Sequence, residues 1–135
     1  MQDKQGYFPL WRKFQDNFLW AEKRVFSKAE AWIDLLMQAQ HKEEPQHVLI
    51  KMRTITCNYG ECIKSLSTWG KRWRWSKPKV CRFLDLLQAH NMIVTKSETV
   101  TTRISICNYS TYDPRENGFV TRPLRDRYAT VPRQE

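Results

Sequence analysis

Apolar residues fall along this chain in blocks whose spacing switches between helical and alternating. Leu10, Trp11, Phe14, Phe18 and Leu19 recur at helical spacing. They predict a short amphipathic helix over residues 9 to about 21, with Pro9 near its start and its stripe packed inward. Ser27 and Glu30 form an S-x-x-E capping box ahead of Trp32, Ile33, Leu35, Leu36 and Ala39, so a second helix is predicted over residues 28 to about 41. Residues 42–46 are polar, contain Pro45, and read as a surface loop. Val48, Ile50, Met52 and Thr54 then alternate with Leu49, Lys51, Arg53 and Ile55, a β-branched-rich period of two that predicts a strand, and Asn58-Tyr59-Gly60 supplies a turn.

Helical spacing returns with Leu66, Trp69, Gly70 and Trp73, behind Ser65 or Ser67 as the cap. Arg74-Trp75 interrupts it. A new helix is predicted at once, with Ser76 as N-cap, Pro78 in the first turn, and Val80, Phe83, Leu84 and Leu87 as the buried stripe. His90-Asn91 closes it, Asn being able to take the left-handed C-terminal position. Met92-Ile93-Val94-Thr95 and the run from Val100 to Ile106 read as two antiparallel strands joined by a short loop. Helix, turn, helix, hairpin predicts an α+β fold of the winged helix-turn-helix type over residues 6–112, with the helix-turn-helix at about residues 65–90. Beyond it, Pro114, Asn117, Gly118, Pro123 and Pro132 interrupt any periodicity, and residues 113–135 are expected to form a flexible tail.

Charge adds a location to this outline. Of the net +9, residues 51–82 hold nine basic residues (Lys51, Arg53, Lys64, Lys71, Arg72, Arg74, Lys77, Lys79, Arg82) against the single acid Glu61, a local +8. The footprint overlaps the predicted helix pair and points to an acidic partner, with double-stranded DNA as the leading candidate. Lys71, Arg72 and Arg74 crowd the end of the first helix and the turn. Ser76, Lys77, Lys79 and Arg82 open the second, whose N-terminal part enters the major groove in this motif. Lysines and arginines there mostly neutralise phosphates, while Lys77, Lys79 and Arg82 are the candidates for reading bases, Arg by bidentate pairing with guanine. In the hairpin, Lys96 and Arg103 are candidates for backbone or minor-groove contact. Trp69 and Trp73 belong to the apolar stripe and read as core. Trp75, in the turn, reads as a cap on the core, with base stacking as the alternative.

Other chemistries find little footing. There is no glycine-rich phosphate loop and no G-x-S-x-G or H-E-x-x-H pattern, so no catalytic role and no cofactor is expected. Cys57, Cys62, Cys81 and Cys107 offer only one close pair, at C-x4-C, with no nearby histidine, and read as free thiols rather than zinc ligands or disulfides. No apolar run approaches the roughly 18 residues of a membrane span, and residues 1–5 are polar rather than signal-like. A cytoplasmic protein without a membrane partner is expected.

Several of these segments together resemble a known family. Gly6-Tyr7-Phe8-Pro9-Leu10-Trp11-Arg12-Lys13, the helix from Ala29 to Ala39, Ser65-Leu66-Ser67-Thr68-Trp69-Gly70-Lys71-Arg72-Trp73, the run from Ser76 to Leu84 and on through Asn91-Met92-Ile93, and Ile104-Ser105-Ile106-Cys107-Asn108-Tyr109 with Tyr112 are similar to the N-terminal winged-helix domain of phage and prophage replication initiators, the DnaD-like or replisome-organiser group. The likeness covers roughly residues 6 to 112. It implies origin-DNA binding or self-association in a bacterial host cell, with replication proteins as further partners and replication initiation or transcription control as the process. Helicase recruitment belongs to a second domain of such proteins and is not carried over. The rival expectation is a protein-interaction module in which the basic patch meets an acidic partner or the helices serve a homo-oligomer. Binding of single strands or RNA is a third.

Overall fold

Asn17 divides the segment whose apolar stripe predicts a single first helix. The computed structural model describes residues 8 to 112, so the expected tail at 113–135 and the opening residues 1–7 lie outside the described residues. A 3-10 turn spans Arg12–Asp16, Asn17 is extended (ψ 143°), and its side chain accepts the Leu19 N–H at 2.9 Å to cap a four-residue helix, α1 (Phe18–Ala21). Asn competes with helix by such local bonds and favours the cap. Neither short piece can present a continuous stripe. The expected inward packing is accordingly not seen: Phe14 and Trp20 are half-buried, but Trp11 and Phe18 are about three-quarters exposed (76% and 75%). Arg12 ties the segment down, donating to the Met37 carbonyl at 3.1 Å and to the Tyr109 hydroxyl.

The capping box behaves as its residues dictate. Ser27 Oγ accepts the Glu30 N–H at 3.1 Å and the Glu30 carboxylate accepts the Ser27 N–H at 2.8 Å, opening α2 (Lys28–Gln38), which buries Ala31, Asp34, Leu35 and Met37. The run predicted as one strand is instead a hairpin, β1 (Gln46–Ile50) and β2 (Arg53–Cys57), paired Ile50 to Arg53 through Gln46 to Cys57. Its two-residue turn is Lys51-Met52, both at positive φ (47° and 69°). This is the sign pattern of the type I′ turn, which suits strand twist and usually takes Asn-Gly. Lys and Met carry a Cβ into that region at a cost of roughly 1 kcal/mol each, and neither residue signals a turn.

Past the Asn58–Gly60 turn, where Gly60 takes φ 80°, comes a strand that the sequence pattern does not reveal, β3 (Glu61–Lys64). Helices α3 (Leu66–Trp73) and α4 (Lys77–Ala89) follow, then β4 (Ile93–Ser97) and β5 (Thr102–Ile106). Ser65 is the residue that caps α3, and Asn91 closes α4 at φ 60°. β5 lies between β3 and β4, antiparallel to both, giving a three-stranded sheet of order β3-β5-β4 beside the separate β1–β2 hairpin. Among the described residues the result is mixed α+β, four α-helices with small antiparallel sheets. One core joins Ala31 and Leu35 of α2, Ala39 just past its end, the buried stripes of α3 and α4, and Cys62, Ile93, Ile104 and Ile106 of the sheet. Trp69 and Trp73 are fully buried in it, with ring centroids 5.1 Å apart. No helix among the described residues is long and apolar enough to cross a membrane.

Candidate nucleic-acid interface

A tight turn sets the start of α4. Arg74 takes the left-handed conformation that ends α3 (φ 60°, ψ 43°), and the Trp75 N–H donates to the Gly70 carbonyl at 2.9 Å. The chain can return this closely because position 70 is glycine: a Cβ there would stand 2.9 Å from the Trp75 carbonyl oxygen, closer than such contacts permit. Trp75 is the plug of the turn. Its ring packs edge-on against Trp73 and Phe83, at 5.0 and 5.2 Å, and its Nε1 donates to the Phe26 carbonyl at 2.8 Å. Buried and bonded this way, it caps the core and offers no face for stacking on a base. Ser76 Oγ then accepts the Lys79 N–H at 3.3 Å, so the Ser76 hydroxyl acts as the helix cap.

With Val80, Phe83, Leu84 and Leu87 facing the core, a rotation of about 100° per residue places Pro78, Arg82, Asp85 and Ala89 along the opposite, solvent-exposed line of α4. Lys77, the first residue of the helix, is also exposed, as are Lys71 on α3 and Arg74 in the turn. None of these four cations has a carboxylate within ion-pair distance among the described residues. Lys79 is placed differently. Its Nζ sits 4.5 Å from the centre of the Trp75 ring, a cation–π contact on the flank of the helix.

Two expected DNA ligands are engaged in ion pairs within the fold, Arg72 while still exposed at its surface. Arg72 grips Asp34 with both arms, Nε to Oδ2 at 2.9 Å and Nη2 to Oδ1 at 2.7 Å, and Asp34 is fully buried. Trp73 Nε1 donates to the same carboxylate at 2.8 Å. A bidentate pair to a buried carboxylate is costly to break, so Arg72 is held to Asp34 through Nε and Nη2. Arg103 faces inward from β5, its Nη1 donating to the Thr56 carbonyl at 2.7 Å and to Glu61 Oε1 at 2.5 Å, and its Nη2 lying 3.5 Å from Glu98. Burial raises the Glu61 pKa, but the Asn58 N–H, Arg103 and the Ser105 hydroxyl outweigh it and hold Glu61 below the ordinary glutamate value. Lys96, opposite Arg103 in the ladder, stays exposed with only a long 3.9 Å approach to Glu98.

The fold also brings in cations that were not singled out from the sequence. A shallow cleft beside the turn is lined in part by Trp20, Lys23, Arg24, Phe26, Arg72 and Arg74. Arg24 is held there over the Trp20 and Phe26 rings and bonded to Glu30, whereas Lys23 is exposed beside Arg74. Lys23 sits outside the basic window and only tertiary packing carries it to the turn. The cysteines are free thiols, Cys57 and Cys62 buried, Cys81 and Cys107 half-buried, and burial pushes the first two thiols up in pKa. The chain matches no protein-family model, no curated protein and no solved structure.

Proposed function

We propose that this chain is a winged-helix protein that binds double-stranded DNA by laying the exposed line of α4 in the major groove. The order α2, β3, α3, α4, β4, β5 with sheet order β3-β5-β4 supports the fold reading, the β1–β2 hairpin being an insertion between the first helix and first strand. The observation that carries the DNA reading is the set of exposed cations, Lys71, Arg74, Lys77 and Arg82, around one rigid turn and one helix face. Lys71, Arg74 and Lys77 suit phosphates on either side of the groove, and Arg82, one turn into the helix, suits bidentate pairing with guanine. Lys96 suits a flanking phosphate. In keeping with the resemblance to phage initiators, the process is replication initiation or transcription control in a bacterial cytoplasm.

Fluorescence anisotropy with a mixed-sequence duplex tests the reading. The Lys77→Ala/Arg82→Ala variant should bind at least about tenfold more weakly than wild type, since each lost contact is worth about 1–3 kcal/mol. Equal binding by the two would overturn it. A preference for unpaired strands in competition would replace it with single-strand binding.

A second reading is favoured by the exposed Trp11, Phe18, Leu19 and Val25 of the N-terminal segment, which suit a protein partner or a second copy of the chain. Sizing with and without duplex separates the two. Stable self-association that DNA leaves unaltered, without DNA binding, favours the interaction module.

A further inference from the structure

The β1–β2 hairpin lies outside the elements that the winged-helix order requires, and its tip is poorly explained by folding. Met52 is 92% exposed, more than any other large apolar side chain among the described residues. It sits in a turn whose geometry favours Asn-Gly, so neither the turn nor the solvent selects it. Lys51 and Arg53, on either side, are both exposed and have no carboxylate within ion-pair distance among the described residues.

The ribbon is also aimed. Arg53, Thr54 and Ile55 share a shallow cleft with Glu98, Thr99 and Val100 of the loop joining β4 to β5, so the two hairpins lie side by side. Arg103 fixes their relation, bonding from β5 to the Thr56 carbonyl in β2, to Glu61 in β3 and to Glu98 in the loop. On the DNA-binding reading, which puts Lys96 of the β4–β5 hairpin on a phosphate, a cationic ribbon beside that hairpin is within reach of the same duplex, where an apolar side chain at its tip has a defined use. Unbranched and flexible, methionine can slide between base pairs in the minor groove, and the cost of unstacking is offset by the bend and the extra phosphate contacts it brings.

We propose that the β1–β2 hairpin is a second DNA-contacting ribbon, with Met52 as an apolar wedge in the minor groove and Lys51 and Arg53 on the flanking phosphates. The inference rests on the DNA-binding reading above and names a further contact and a deformation of the duplex.

The test is a mixed-sequence duplex of about 25 base pairs carrying a donor and an acceptor dye at its two ends, short enough that a localised bend dominates its shape. Full-length wild type should raise energy transfer on binding. Met52→Ala, which removes only a solvent-exposed side chain, should bind roughly tenfold more weakly, one specific contact's worth, and give a smaller rise in transfer. Met52→Leu, an equivalent wedge, should keep both. If Met52→Ala matches wild type in affinity and transfer while Lys77→Ala/Arg82→Ala loses binding, the wedge is overturned and the α4 reading stands. If the α4 variant binds normally and Met52→Ala does not, the ribbon stands and the α4 reading falls. If a Lys51→Ala/Arg53→Ala variant weakens binding and Met52→Ala does not, the ribbon is an electrostatic contact only and the wedge is overturned.

Discussion

Asp34 shows how much one residue decides. Its carboxylate is fully buried and takes four N–H donors, two from Arg72, one from Trp73 and a longer one from Gln38 at 3.4 Å, tying α2 to the end of α3. Asp34→Ala would leave the Trp73 indole N–H unpartnered in the core and should cost about 3 kcal/mol in urea unfolding. Arg72→Ala, which leaves the buried carboxylate without its cation, should cost a similar amount. DNA affinity, measured where both proteins are folded, should change little for Arg72→Ala. That separates a strut from a ligand. No pattern in the chain could have made this distinction. In the sequence Arg72 is one more cation in a basic window, and its partner stands 38 positions away on another helix. The helix caps were legible because they are local: Ser27, Ser65 and Ser76 each bond an N–H three residues on, a distance that sequence order itself fixes.

The β1–β2 hairpin is the element that alternation alone could not read. Alternation over residues 48–55 is continuous across the turn because a two-residue loop of Lys-Met contains neither glycine nor asparagine, and a period of two carries no mark of reversal. Lys51→Asn/Met52→Gly should relieve the left-handed strain and stabilise the fold by about 1 kcal/mol, read as a raised urea midpoint. β3 escaped because four residues are too few to establish a period. The strand also carries Glu61, whose network holds three strands together. Its folded-state pKa, like that of Glu30, lies below the ordinary value of 4.5, so the carboxylate form is favoured by folding. The stabilisation is therefore full above the unfolded-state pKa and is lost as the pH falls through the folded-state value. Urea midpoints should drop below about pH 4.5, and Glu61→Gln should be less stable at neutral pH with a shallower acid loss. Gly70→Ala should disrupt the turn before α4, because its Cβ meets backbone rather than a movable side chain.

The arrangement of the whole molecule was legible wherever apolar stripes and caps coincide, from Ser65 to Ile106. It was not legible in the N-terminal segment, where five apolar residues at helical spacing did not outweigh the local preference of Asn17. The candidate interface divides similarly. Charge density outlined it, but packing sorted the cations, leaving Lys71, Arg74, Lys77 and Arg82 exposed without a carboxylate partner among the described residues, pairing Arg72 and Arg103 with carboxylates, and placing Lys23 on the cleft beside the turn. The salt dependence of duplex binding measures whether Lys71, Arg74, Lys77 and Lys96 neutralise DNA phosphates. If four phosphates are neutralised, the logarithm of the association constant should fall against the logarithm of salt concentration with a slope of roughly −4. Lys71→Ala/Lys77→Ala, which removes two of the phosphate contacts, should reduce that slope to roughly −2. Equal slopes for the two proteins, or a wild-type affinity indifferent to salt, would contradict binding through α4.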